Sequence, residues 1–313
     1  MLSGESSTVP SAEAKALFLA FDPKSSFESP QERVLLVRTD ADPFAVSSRI
    51  AFARRVGLLV DDPKEVFDLV RGTKVRVREF NLRGGSSSGK VPPGEILRGV
   101  RAMVDLKRPD YEFTVIIGER TYVCLSKPLL MGQAWSVRRP RKRAFFHPSA
   151  IFPKLARALV NLSRCMPGDV FLDPLSGTGS LPIEAAAIGA RVVASDEARK
   201  MVQGSLANMK HFRQDWLGVV RADAFSLPFR KADAVATDVP YGRVSSTRGR
   251  ATGNIIRDAL ASLHSLLPTG SRVVMMHPKH HPVKGTKSLR LEEEHHLYIH
   301  KRLTRTITVL RRM

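Results

Sequence analysis

Cysteine is nearly absent from this sequence, with only Cys124 and Cys165 among 313 residues. Both stand among apolar neighbours, and neither belongs to a metal-ligand spacing. A disulfide framework and a zinc ribbon are thereby excluded, and the chain reads as intracellular and reduced. Long apolar runs are missing too. None approaches the roughly 18 residues needed to cross a bilayer, and the opening MLSGESSTVPSAEAK lacks the basic start and apolar centre of a signal peptide. A cytoplasmic protein with no membrane partner is expected. Acidic residues are scarce: 30 Asp and Glu against 50 Lys and Arg leave a net charge of +20. The excess is spread along the chain, so a polyanion is the natural partner.

What is present is a globular composition. Hydrophobic residues make up 43% of the chain, enough for a large core and two domains or more. No internal repeat is visible. VLLVRTD, Val34 to Asp40, reads as a strand, and DPFAVSSRIAFARRVGLLV as a helix leading into another apolar segment. After Asp61 come a helix, the strand TKVRVREF, a polar loop, the helix PGEILRGVRAMV and the strands YEFTVIIG and RTYVCLS, a small α+β region. Trp135 to Pro148 is a basic linker, with five basic residues among the six from Arg138 to Arg143. From Ile151 onward helices alternate with short apolar strands, which predicts a mostly parallel sheet covered by helices on both faces. The domains expected are therefore 1–60, 61–134, the linker 135–148, and an α/β, Rossmann-like domain over 149–313.

In such a sheet ligands bind beyond the carboxyl ends of the strands. Acids follow four consecutive strands there: Asp173 in DPLSGTGS, Asp196 in VVASDEA, Asp223 in ADA and Asp238 in ATDVPYGR. A carboxylate at a strand end needs a partner or water. One such acid is an ordinary turn former; four in series point to a site. Gly177 and Gly179 form a tight loop before a helix, Asp196 suits the two hydroxyls of a ribose, and Asp223 with Ala224 suits an adenine edge. The loop has only G-x-G, with Pro182 where a dinucleotide fingerprint has its third glycine, so a nicotinamide cofactor is not expected. GGSSSGKV, Gly84 to Val91, matches part of a phosphate-binding loop but has Val91 in place of the hydroxyl residue. It reads as a flexible loop. The histidines at 277, 280, 281, 295 and 296 have no ligand partners at useful spacing, and no metal is expected.

The ordered series DPLSGTGS, Asp196, ADA and TDVPYG resembles that of class I S-adenosylmethionine-dependent methyltransferases, in particular amino-methyltransferases with a D/N-P-P-Y signature. RAFFHPSAIFPKLARALVNL with DPLSGTGSLPIEAA and TDVPYGR resembles more closely the archaeal tRNA guanine-N2-methyltransferases that carry a THUMP domain and modify guanosine 10. The likeness is strong from Arg138 to Arg243 and clear in YIHKRLTRTITVLRR. It is weaker in VDLKRPDYEFTVIIGERTYVCLS, which looks like the end of a THUMP domain, and loose in the first sixty residues.

The resemblance implies S-adenosyl-L-methionine as cofactor and tRNA as partner. It places Asp173, Ser176, Gly177, Thr178 and Gly179 around the methionine part of the cofactor, Asp196 on the ribose, and Asp223 and Ala224 on the adenine. His147 lies in a segment that covers the cofactor, or is a plain linker histidine. Asp238, Val239, Pro240 and Tyr241 form the catalytic segment: the acid and the next carbonyl hold the target amine, and the ring stacks on the base. Val239 departs from the family, which has proline there. RNA contacts are expected from Arg138, Arg139, Arg141, Lys142 and Arg143, and from Arg243 and Arg248 after the catalytic segment. Methylation of adenine N6 or cytosine N4, or a degenerate tRNA-binding protein, are the alternatives. A small activating subunit stays open, and a monomer is favoured.

Overall fold

The structure, a computed structural model, describes residues 1–83, 92–128, 131–240, 251–300 and 303–313. The chain forms two compact units. One comprises Met1–Glu5, Asp22–Arg49 and Ala53–Met131; the other comprises Ser6–Phe21, Ile50–Phe52 and Gly132–Met313. The helix α1 (Val9–Phe21) belongs to the second, so this division differs from contiguous domains over 1–60, 61–134 and 149–313. The reason is visible at Glu13. Its buried carboxylate accepts from the Ala51 and Phe52 N–H groups at 2.8 and 2.7 Å and from Asn161 Nδ2 at 2.7 Å. Three segments distant in sequence thus share one buried acceptor.

In the first unit, β1 (Ser26–Gln31) and β2 (Val34–Arg38) pair antiparallel. The next helix, α2 (Pro43–Ser47), has proline in its first turn and is capped by Asp42, whose carboxylate accepts from the Phe44 and Ala45 N–H groups. It covers only the start of the helix expected in DPFAVSSRIAFARRVGLLV, and further along that stretch the Ala51 and Phe52 N–H groups are bound by Glu13. The remaining elements are β3 (Gly57–Leu59), α3 (Phe67–Val70), β4 (Lys74–Asn81), α4 (Pro93–Ile96), β5 (Met103–Val104), β6 (Tyr111–Ile117) and β7 (Thr121–Ser126). They build a five-stranded mixed sheet in the order β3-β7-β6-β4-β5.

The second unit adds α5 (Met131–Val137), α6 (Pro153–Leu162), β8 (Val170–Asp173), α7 (Ser180–Ala186), β9 (Arg191–Asp196), α8 (Arg199–His211), β10 (Gly218–Arg221), β11 (Ala234–Asp238), α9 (Thr252–Leu263), β12 (Arg272–Pro278), β13 (Leu289–His300) and β14 (Leu303–Arg312). The sheet order is β10-β9-β8-β11-β12-β14-β13. The first five strands are parallel, while β14 runs antiparallel to both β12 and β13. This is the class I methyltransferase fold. Period-two alternation along the strands feeds two cores. Phe171, Ala234, Ala236, Val274, Met276, Ile307 and Val309 pack with α1, α6 and α7. Leu172, Val235, Val273, Met275 and Leu310 pack with α9. The chain order reverses between β8 and β11, so the cleft opens at the carboxyl ends of these two strands.

Candidate active site

Beyond β8 the chain turns through Pro174–Gly179 into α7. The turn is fixed to β9 by one backbone and one side-chain acceptor: Ser176 N–H donates to Ser195 O at 2.8 Å, and Gly177 N–H donates to Asp196 Oδ2 at 2.9 Å. Asn208 of α8 holds the other side, its Nδ2 donating to Thr178 O at 2.9 Å. Gly177 and Gly179 both take positive φ, +50° and +81°, which side chains with a Cβ adopt at a cost. A Cβ at Gly179 would lie 2.5 Å from Ser205 Oγ, whereas one at Gly177 would meet nothing within 4 Å.

A cleft of about 1100 Å³, partly open to solvent, lies over this loop. His147, Ser176, Gly177, Thr178, Asp196, Asp223, Ala224, Asp238, Val239 and Pro240 all line it. Ten of the residues singled out in the sequence therefore meet in one place. Asp173 and Gly179, expected around the cofactor, do not line it. Asp173 is fully buried, and its Oδ1 accepts from Thr237 Oγ1 at 2.8 Å and from Leu175 N–H at 3.2 Å. Burial pushes its carboxyl up to about 8, against the two hydrogen bonds that lower it. Asp196 is committed through both oxygens, since Oδ1 accepts from Ala198 N–H at 2.8 Å. Asp223 closes a turn, accepting from Phe225 N–H at 3.0 Å. His147 Nδ1 lies 2.7 Å from Ser149 Oγ.

At the end of β11 stands Asp238, its side chain 18% exposed. Arg305 of β14, only 2% exposed, reaches it through an ion pair from Nη2 to Oδ1. The same nitrogen donates to Met276 O at 3.3 Å. Burial raises the Asp238 carboxyl to about 6, and the charge and hydrogen bond of Arg305 oppose that rise. Val239, where the family has proline, is fully buried and donates its N–H to Met276 O at 2.9 Å. A proline has no N–H to donate. The valine thus fixes the strand end by a hydrogen bond where proline would fix it by its ring.

Arg305 and the cleft residues Glu197, Phe225 and Asp258 were not singled out from the sequence. Arg305 carried a readable signal, because it shares period-two spacing with the buried Ile307 and Val309. An arginine on the apolar face of a strand needs a partner. Tyr241, Arg243 and Arg248 lie outside the described residues, as does the loop 84–91.

The basic linker needs correction at two positions. Arg138, expected to contact RNA, forks onto Glu184, with Nε to Oε1 at 2.6 Å and Nη2 to Oε2 at 3.0 Å. Arg143 is buried and donates to Ser180 Oγ at 2.6 Å and to Ile151 O at 3.1 Å. Both guanidiniums are spent inside the unit. Arg139, Arg141 and Lys142 are exposed. Among the described residues no group of three His, Cys, Asp or Glu side chains could hold a metal ion.

The polar groups of the cleft fit a cationic amino-acid nucleoside. Among the described residues that line it, Ser176 Oγ and Thr178 Oγ1 are buried and take no hydrogen bond. These hydroxyls sit at the loop, and Asp196, Glu197, Asp223, Asp238 and Asp258 make the lining acidic in a chain of net charge +20.

The comparisons with known proteins agree with this geometry. Residues 140–306 match the family described as RMKL-like, methyltransferase domain (UPF0020). The tRNA (guanine(10)-N2)-dimethyltransferase of Methanothermobacter thermautotrophicus is 32% identical over 86% of this chain and 85% of its own length. That of Methanocaldococcus jannaschii is 35% identical over 78% of this chain and 70% of its own. The crystal structure of TrmN from Thermus thermophilus covers 100% of this chain and 98% of its own, with a TM-score of 0.52 and 21% identity, which supports the fold. The chain belongs to the RMKL-like methyltransferase domain family and stands within it beside the archaeal tRNA (guanine(10)-N2)-dimethyltransferases.

Proposed function

We propose that this chain transfers a methyl group from S-adenosyl-L-methionine to the exocyclic N2 of a guanosine in tRNA, at position 10, giving N2-methylguanosine and then its dimethyl form. The observation that carries this reading is the meeting of Asp238 and Val239, at the end of β11, with the glycine loop and Asp196 in one acidic cleft. The names of the relatives supply the base and the position.

When bound, S-adenosyl-L-methionine supplies an electrophilic methyl group, whose bond to sulfur breaks on transfer so that S-adenosylhomocysteine leaves as a neutral thioether. Residues 176–178 would hold its methionine part, with Asp173 beneath them; Asp196 would hold the ribose, and Asp223 and Ala224 the adenine. The chain's own task is the target amine. The lone pair on guanine N2 is delocalised into the ring, so the amine is a poor nucleophile. Asp238 and the Val239 carbonyl accept its two N–H groups and hold the lone pair towards the methyl carbon. As nitrogen gives that pair to carbon, positive charge builds on it beside an ionised carboxylate. With its carboxyl at about 6, Asp238 is charged at neutral pH yet basic enough to take the proton that nitrogen sheds. Tyr241, one residue beyond Pro240 in sequence, is the aromatic on which the base would stack, worth about 1–3 kcal/mol.

Residues 61–134 are proposed to serve as the THUMP-like RNA-binding part, and Arg139, Arg141, Lys142, Arg243 and Arg248, which belong to the second unit, to meet the phosphates. The same reading takes the enzyme as a cytoplasmic monomer, and a small activating subunit as the first partner to add if cofactor binds without turnover. The test is methyl transfer from labelled S-adenosylmethionine to an unmodified tRNA transcript. Label should enter the wild-type transcript and be lost when guanosine 10 is replaced by adenosine. Label that persists on the replaced transcript would overturn the position, and methylated adenosine or cytidine would overturn the base.

A further inference from the structure

Among the described buried charged groups of the second unit, Arg305 is the one that touches the catalytic segment directly. Its strand, β14, is separated from β11 by β12. In register Arg305 pairs with Pro278, whereas Asp238 pairs with Met276. The side chain therefore crosses β12 to meet the carboxylate, and Nη2 bonds both Asp238 Oδ1 and Met276 O. Met276 O also accepts from Val239 N–H. One guanidinium thus touches both the acid and the carbonyl that anchors the following residue.

We propose that Arg305 is a positioning residue for methyl transfer: it pins Asp238 Oδ1, keeps the carboxylate ionised, and leaves Oδ2 as the acceptor offered to the target amine. This rests on the reading that Asp238 accepts that amine. An ionised carboxylate is acceptor-only, and the guanine edge presents donors at N1 and N2, so an ionised Asp238 suits guanine. A protonated Asp238 would turn one oxygen into a donor and lose the match.

The groups around Asp238 make Arg305 the decisive one. From β8, Asp173 feels the charges of Asp238 and Asp196, but burial holds its own carboxyl up to about 8, so it is neutral where Asp238 titrates. Asp196 and Asp258 share the cleft lining. Burial is what disfavours ionisation of Asp238. From β12, His277 is buried between Thr308 Oγ1 and Pro278 O, at 2.8 and 3.1 Å, and burial lowers it, so it brings no charge at neutral pH. Among the described groups, Arg305 is the cation that opposes this effect of burial.

The test is the pH profile of single-turnover methyl transfer at saturating cofactor and tRNA. Wild-type activity should fall as pH drops through about 6, the value at which Asp238 takes its proton. In Arg305→Gln the acid limb should move up by about one pH unit or more, so that the rate at pH 6.5 falls roughly threefold or more while that at pH 8.5 recovers towards wild type. Cofactor affinity should be unchanged. Arg305→Lys keeps the charge without the fork, and its limb should stay with wild type while the plateau drops severalfold; it carries the test if the glutamine variant does not fold. A uniform loss at every pH in both variants, with no shift of the limb, would overturn the inference and leave the proposed function standing. An Asp238→Ala enzyme that methylates tRNA as fast as wild type would overturn both this inference and the role proposed for Asp238.

Discussion

Asp173 shows how far a buried acid departs from an ordinary one. It is fully buried, two hydrogen bonds reach Oδ1, and its carboxyl titrates at about 8. An unfolded aspartate titrates near ~4. Between these values the folded chain holds a proton that the unfolded chain has lost, so stability falls as pH rises through that window and levels off above it. Asparagine keeps the oxygen that accepts from Thr237 and Leu175 and cannot ionise. Asp173→Asn should therefore gain melting temperature over wild type progressively from pH 5 to pH 8.5, in cofactor-free protein. A difference that stays constant over this range would contradict the assignment. Val239 makes the opposite point. It reads in sequence as a departure from the family signature, and only the structure shows the N–H bond to Met276 O that holds the strand end in its place.

At the scale of elements, the loop between β8 and α7 is where backbone conformation decides function. Gly177 and Gly179 both need positive φ, at a cost of about 1–2 kcal/mol for a residue with a Cβ. They differ in what a Cβ would meet: Ser205 Oγ at 2.5 Å for Gly179 and open cleft for Gly177. Gly179→Ala should lower the melting temperature more than Gly177→Ala. Gly177→Ala should do the greater harm to cofactor affinity, measured by calorimetry, because its methyl group enters the cleft. Equal losses in both would contradict this division. The same loop was the most legible part of the sequence, because glycines, strand-end acids and a helix start are local signals. The long-range parts were not legible in that way. Nothing near Glu13 announces that α1 joins the second unit, since its partners Ala51, Phe52 and Asn161 are 38, 39 and 148 residues away. Arg305 reaches Asp238 across 67 residues, and Arg138 reaches Glu184 across 46.

Arg138 also separates charge that holds the fold from charge that meets a polyanion. Net charge belongs to the whole molecule, and +20 says that phosphates will be attracted without saying which residues touch them. The structure removes Arg138 and Arg143 from that account and leaves Arg139, Arg141 and Lys142 exposed. Each phosphate contact adds about 0.7–0.9 to the slope of log affinity against log salt. Arg141→Ala with Lys142→Ala should reduce that slope for tRNA by about 1–2 while leaving thermal stability near wild type. Arg138→Ala should do the reverse: an unchanged slope and about 1–3 kcal/mol less stability from the lost charged hydrogen bonds. A matched loss of slope in all three would return Arg138 to the RNA surface.

The central claim joins the scales in one reaction, and nucleoside analysis of the product tests it most directly. Unmodified tRNA transcript would be incubated with isotopically labelled S-adenosylmethionine and either wild-type protein or Asp238→Ala, digested, and examined by mass spectrometry, with cofactor binding followed in parallel. The account expects labelled N2-methylguanosine, with its dimethyl form, from the wild type, and none from Asp238→Ala despite cofactor affinity near wild type. Labelled N2-methylguanosine from both proteins, or a labelled nucleoside other than guanosine from the wild type, would contradict it.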